Sequence, residues 1–297
     1  MHETVLNQID KYRKHCLWRG ADFSRKGQAK AAWPRVCLPK ESGDLGVLNL
    51  KIQNEAMLLK NFHKFFNRLD IPSKYLTVDT ALSLEDSSMM FHLPLSAQAH
   101  RQYQEFLLKL ESVILTDDLD EWMYRWGTKE FSTKKAYNLL IGSRQVHVSF
   151  GWLWKSFCQP KHKVFFWLIL VDCLPTRDRL QRRRMDLPSY SCVMCSQGNL
   201  ESSAHLFLHC PMLGSLGLLD TASDSLFEAW TSFKSQLNQP FFMELITIMA
   251  WSIWITRNNF VFRNLQPSLN ACLFTFVEVL SLSALRAKAS LRPALFL

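Results

Sequence analysis

Apolar residues recur at Ile52, Ala56, Leu59, Phe62, Phe66 and Leu69, at steps of 4, 3, 3, 4 and 3. This is the period of one helical face, and Asp70-Ile71-Pro72-Ser73 supplies its stop. A second helix is predicted from about Arg101 to Leu115, after a weakly periodic stretch rich in Ser, Asp and His. Trp122, Trp126 and Phe131 around Gly127 suggest a short strand or hairpin, and Ser132 is placed to cap a helix over 133–140. From Lys163 to Val171 nearly every position is apolar, so this helix must be buried on most sides. Pro175 ends it, and Thr176 is placed to cap a basic helix from Arg177 to Met185. The last 60 residues read as two or three helices. The pattern is that of a mainly α protein with room for one short β-hairpin.

Two apolar runs are broken by charge: Phe241 to Ile255 by Glu244, and Ala271 to Leu285 by Glu278. Both fall short of the roughly 18 consecutive apolar residues that a membrane span needs, so buried helices are expected and no membrane partner. The first sixteen residues hold no uninterrupted apolar core of signal-peptide length. An intracellular protein, nuclear or cytoplasmic and not secreted, is expected. Its eight cysteines are then thiols or metal ligands before they are disulfides.

Composition is globular, with 48% hydrophobic and 21% charged residues among 297. Lys and Arg number 35 against 26 Asp and Glu, a net charge of +9 that favours polyanionic partners. The excess is local. Between Lys11 and Lys40 lie nine cations and one acid, Asp22. Between Lys155 and Arg184 lie Lys155, Lys161, Lys163, Arg177, Arg179, Arg182, Arg183 and Arg184, against Asp172 and Asp178. These eight are candidate phosphate contacts for RNA or DNA, which give affinity without sequence specificity. A solvated helix face is the other reading of the arginine run. Trp152, Trp154 and Trp167 stand among apolar neighbours, which favours core positions over base stacking.

The sharpest chemical signal is Cys192-x2-Cys195-x9-His205-x4-Cys210. Two thiolates three positions apart share a tight turn, and a His and a Cys complete a set of three sulfurs and one nitrogen, as zinc prefers. Soft thiolates exclude magnesium and calcium. His209 is a rival ligand, but it adjoins Cys210, and neighbouring side chains rarely converge on one ion. A redox pair, a disulfide or ordinary buried thiols are the competing readings. Cys16, Cys37, Cys158, Cys173 and Cys272 have no ligand spacing and are expected in the core. One structural zinc ion in a small knuckle-like module is expected, since four protein ligands leave no open position.

Around this motif the chain resembles the C-terminal part of plant LINE-type (non-LTR) retrotransposon reverse transcriptases, with their reverse-transcriptase zinc-binding domain. The matching residues are Trp154-Lys155, Pro160-Lys161-x-Lys163-Val164-x-Phe166-Trp167, Leu174-Pro175-Thr176-Arg177, Cys192-x2-Cys195 and Glu201-Ser202-x-x-His205-Leu206-Phe207-x-x-Cys210-Pro211. Upstream, Phe131-Ser132-Thr133-Lys134 is similar to the opening of that domain. Trp33, Pro39-Lys40 and Leu45-Gly46-Val47 resemble the segment following the polymerase core, and Trp251, Trp254 and Arg257-Asn258 are also typical. The resemblance implies an ancestral role in holding template RNA or DNA beside a retrotransposon polymerase or its ribonucleoprotein. It divides the chain into a helical segment (1–75), a connecting region (76–118), the zinc-binding domain (119–215) and a helical C-terminal region (216–297). Three departures from the family pattern (Asp44 for a glycine, Met185 for a glycine, no aromatic near Ser215) read as lost packing or turn chemistry.

No catalytic residue is expected. Leu115-Thr116-Asp117-Asp118 superficially fits the metal-holding hairpin of a polymerase, but it ends a predicted helix and no aspartate-bearing strand is evident upstream. The alternatives to nucleic-acid binding are a protein-interaction module and a decayed relic without selected function.

Overall fold

The computed structural model describes residues 1–24, 26–66, 96–110, 123–214 and 225–292. The Asp70 stop, the Leu115–Asp118 motif, Trp122 and the Ser215 region lie outside the described residues. The α-helices of five or more residues are, in order, α1 (Glu3–Arg19), α2 (Trp33–Cys37), α3 (Leu50–Phe66), α4 (Ala97–Leu110), α5 (Thr133–Ile141) and α6 (Val148–Lys155). They continue with α7 (Pro160–Leu170), α8 (Arg177–Arg182), α9 (Leu226–Leu237), α10 (Phe242–Arg263) and α11 (Leu269–Ala284). The protein is mainly α, and no strand forms among the described residues. No described helix is long and apolar enough to cross a membrane.

The chain divides into two compact units, residues 1–51 with 141–297, and residues 52–140. In the smaller unit, Ser132 accepts the Lys135 N–H at 3.3 Å, as its capping position predicts. Around Gly127 there is a turn instead of the expected hairpin. The Tyr124 N–H reaches Thr128 O at 2.9 Å, and no ladder follows among the described residues. Its stability comes from rings: Tyr124 stacks on Trp126 at 4.4 Å, and Phe131 meets both edge-on.

The larger unit is built around α7. Phe165 to Leu170 are all buried, as an apolar helix without a polar face requires. Trp167 is fully buried, so its indole N–H must be satisfied internally. It donates to Gly43 O at 3.0 Å and to the Asp44 carboxylate at 3.3 Å. Gly43 sits at φ +83°, and a Cβ there would lie 3.0 Å from Val146 and 3.2 Å from Phe150. Glycine is required by both backbone and space.

Asp44 corrects an expectation. In place of lost turn chemistry, it is a fully buried carboxylate held by Arg35 at 3.2 Å, by Arg144 and by the Trp167 indole. Burial pushes its carboxyl up, and the two guanidinium groups hold back part of that rise. The Met185 departure also looks different. The left-handed backbone at the end of α8 falls on Arg184, at φ +56°, one residue before the expected glycine position. Cys37, Cys158, Cys173 and Cys272 are buried as expected, but Cys16 is exposed on α1.

α10 packs on α7 and α11 and is buried along most of its length, whereas α11 buries only Cys272, Ser283 and Ala284. The expectation of a buried helix therefore fails for α11: Phe274 is 73% exposed, with Val277, Leu282 and Leu285 also in solvent.

His162 gives the core a pH dependence. It is fully buried against Trp251, ring centroids 5.0 Å apart, and neither ring nitrogen has a partner among the described residues. Burial first, then the Lys161 charge, pulls its pKa down to about 4. The unfolded imidazole binds a proton near pH 6.5, so this contribution to stability is intact above 6.5 and is lost as pH falls toward 4. Urea unfolding at pH 7 and pH 5 should show a smaller acid loss in His162→Phe than in the native chain. An equal loss would remove His162 from the acid response.

Candidate metal centre

The segment from Tyr190 to Glu201 folds back on itself. The Cys192 N–H donates to Asn199 O at 2.7 Å, and the Glu201 N–H to Tyr190 O at 3.0 Å. Ser191 and Leu200 form an isolated antiparallel bridge. Gly198, at φ +72°, permits the reversal. The small hairpin-like element lies here, where the apolar pattern gave no strand signal. The Met194 N–H points at Cys192 Sγ, 3.4 Å away, so a backbone donor already faces this sulfur.

The second half of the centre is helical. Ser202 Oγ accepts the His205 N–H at 3.0 Å and caps the turn that carries the imidazole. His205–His209 is a π-helical turn, a wide geometry common at functional sites, and Cys210 follows in extended backbone. His205 is buried and His209 exposed, which removes the rival ligand from the cluster.

Donor atoms of Cys192, Cys195, His205 and Cys210 all lie within 4.8 Å of one another. Cys192 Sγ and Cys210 Sγ are 4.0 Å apart, and Cys195 Sγ and His205 Nε2 are 3.4 Å apart. A tetrahedral zinc with Zn–S near 2.3 Å and Zn–N near 2.0 Å needs about 3.8 Å between sulfurs and about 3.5 Å between sulfur and nitrogen. The arrangement fits one zinc ion. At 4.0 Å the sulfurs are far beyond a disulfide bond, and all eight cysteines are free. Proximity also couples the thiols. The hydrogen bond between Cys192 and Cys210 draws Cys192 down to about 5 and pushes Cys210 up. A dication would favour the thiolate form at both.

The eight predicted phosphate contacts separate into two groups. Lys163 is half-buried and donates to Trp154 O at 3.1 Å. Arg177 donates to Ser191 O at 2.9 Å, and Arg179 lies 3.7 Å from Asp172. Arg182 pairs with Asp172 at 2.8 Å and Asp178 at 2.9 Å. These four already have partners within the module, Arg182 while itself exposed. Lys155, Lys161, Arg183 and Arg184 are exposed. Arg183 also donates to Lys30 O at 3.0 Å, which brings the amino-terminal basic stretch beside α8.

The site's tightest electrostatic element escaped residue-level reasoning. Glu201 is fully buried, and Arg257 of α10 clasps it through Nη2–Oε1 at 2.6 Å and Nε–Oε2 at 3.2 Å. The Arg177 N–H adds 3.2 Å to Oε1, and the Asp178 N–H donates to Glu201 O at 3.1 Å. Arg257 also lies 4.9 Å from the Trp254 ring. One residue thus joins the knuckle, the start of α8 and α10. The two partners are 56 positions apart, and no local pattern announces such a pair.

Residues 131–216 match the family described as zinc-binding in reverse transcriptase. Over 58 residues the chain is 36% identical to an Arabidopsis thaliana protein that carries a provisional ribonuclease H name. That match takes in 20% of this chain and 9% of the length of that protein. No solved structure matches the chain.

Proposed function

We propose that Cys192, Cys195, His205 and Cys210 hold one structural zinc ion, and that the module it organises binds RNA or DNA without chemistry of its own. The observation that carries this reading is the junction between knuckle and basic helix. Arg177 and Asp178, the first residues of α8, are bonded to Ser191 and Glu201 of the knuckle. Closing the metal centre therefore fixes α8 and the exposed Arg183 and Arg184 that follow. A set of four protein ligands leaves no open position for a metal-bound water, which supports a structural ion over a catalytic one. The match to a reverse-transcriptase zinc-binding family supports template handling beside a retrotransposon polymerase or ribonucleoprotein as the ancestral role, in nucleus or cytoplasm.

Anisotropy of a labelled single-stranded RNA with the zinc-loaded chain, across a salt series, tests this reading. Binding should fall steeply with salt. Replacing Lys155, Lys161 and Arg184 together by alanine should flatten the slope by about 2, near 0.7 per lost phosphate contact. Arg182→Ala should change the slope less, because Asp172 and Asp178 already neutralise it. No binding at low salt from folded, zinc-loaded protein would overturn the proposal. The exposed Phe262, Phe274 and Val277 favour one second reading, an apolar docking surface for a protein partner, whose binding would be insensitive to salt.

A further inference from the structure

α1 and the loop after it border a half-open cavity of about 340 Å³ whose lining includes Lys11, Tyr12, Lys14, Trp18, Arg19 and Phe23. Lys11, Lys14 and Trp18 recur at steps of three and four and so share one helical face. The loop is tied back onto the helix. Arg19 bonds to Gly27 O, and His15 Nε2 lies 2.9 Å from Asp22 O. Phe23 stacks on His15 at 4.6 Å and meets the Tyr12 ring edge-on at 5.6 Å. Lys14 is steadied 5.5 Å from the Trp33 ring.

Two features define what this cavity would accept. Among the described residues its lining carries several cations and no carboxylate, so the ligand is anionic. Tyr12 and Phe23 keep 49% and 57% of their surface in water, planar apolar faces that a flat ring would cover. An acidic peptide supplies the charge but not the flat ring. A nucleotide supplies phosphate and ring together.

We propose that this cavity takes one unpaired nucleotide of a single-stranded nucleic acid, its base against Tyr12 and Phe23 and its phosphate at Lys11 and Lys14. The proposal rests on the nucleic-acid reading above and adds base stacking to a surface otherwise made of phosphate contacts. The probe is a short oligouridine carrying 4-thiouridine, crosslinked to the full zinc-loaded chain by near-ultraviolet light and mapped by mass spectrometry. Crosslinks should fall within residues 11–29. Tyr12→Ala with Phe23→Ala should weaken binding about tenfold while leaving the salt slope unchanged. An abasic oligonucleotide should bind the native and variant chains alike. Crosslinks confined elsewhere, a variant that binds as tightly as the native chain, or equal weakening for the abasic probe would overturn the pocket. Displacement of the oligouridine by polyglutamate as readily as by unlabelled RNA would assign it to acidic protein instead and overturn it too. Steep salt-dependent binding untouched by the double variant would leave the phosphate reading standing, whereas no RNA binding at all would overturn both. The crosslink map is read on the native chain, so it stands whether or not the variant folds.

Discussion

Cys195→Ser is expected to abolish stoichiometric zinc and to unfold the knuckle. A serine oxygen is a poor replacement for a thiolate at a soft site, and three remaining donors cannot complete the tetrahedron. Structural zinc in small modules contributes on the order of 10 kcal/mol of apparent folding free energy, comparable with the whole net stability of a domain. The loss should not stay local. Cys192, Met194, Leu206, Phe207 and Cys210 belong to the same apolar cluster as Phe165, Trp167 and Trp254, so their release opens the face on which α7 and α10 pack. Metal content by mass spectrometry should drop from one ion per chain to none, and the thermal transition should fall steeply. Treatment of the native chain with a chelator should give the same shift. His209→Ala, which changes an exposed imidazole, should keep the metal, as should Cys173→Ser. Retained zinc with unchanged melting in Cys195→Ser would remove that residue from the ligand set.

That centre was legible in the sequence because a metal site is a matter of donor type and spacing, both of which are local. The choice between His205 and His209 followed from adjacency to Cys210, and the π-turn explains it physically: one imidazole faces inward while the other faces water. Helix α7 was legible for a related reason, since an apolar run of that length has only one environment. Charged residues resisted the same treatment. A run of arginines suggests a phosphate track, yet the partners of Arg177 and Arg182 are set by which carbonyls and carboxylates the fold brings within reach. Asp44 looked like a lost glycine because its two arginine partners, Arg35 and Arg144, lie 9 and 100 positions away. α11 had the composition of a core helix, and only packing decides whether a second layer exists to cover it. Local chemistry is visible in one dimension, whereas pairing at a distance and burial depend on topology.

The second large effect follows from such a distant pair. Arg257→Ala is expected to destabilise the larger unit by about 3–5 kcal/mol, the usual cost of leaving a buried charge without its partner. Among the described residues Glu201 would keep only the Arg177 N–H on its carboxylate, at a fully buried position. Arg257→Lys should recover little, because a single ammonium cannot match both carboxylate oxygens as the guanidinium does. Glu201→Gln with Arg257→Met removes both charges together and should cost less than the sum of the single changes, since neither partner is then stranded. Urea unfolding of the native chain, Glu201→Gln, Arg257→Met and the double variant, with Arg257→Ala beside them and zinc loaded throughout, measures the coupling. Additive costs would mean that the two side chains act independently, and an Arg257→Ala loss within about 0.5 kcal/mol, the range of an ordinary surface substitution, would show that the clasp does not hold the knuckle to α10. The expected coupling has a functional side. Glu201 also fixes the first turn of α8, so weakening the clasp should loosen the exposed arginines beyond it and lower RNA affinity even while zinc remains bound.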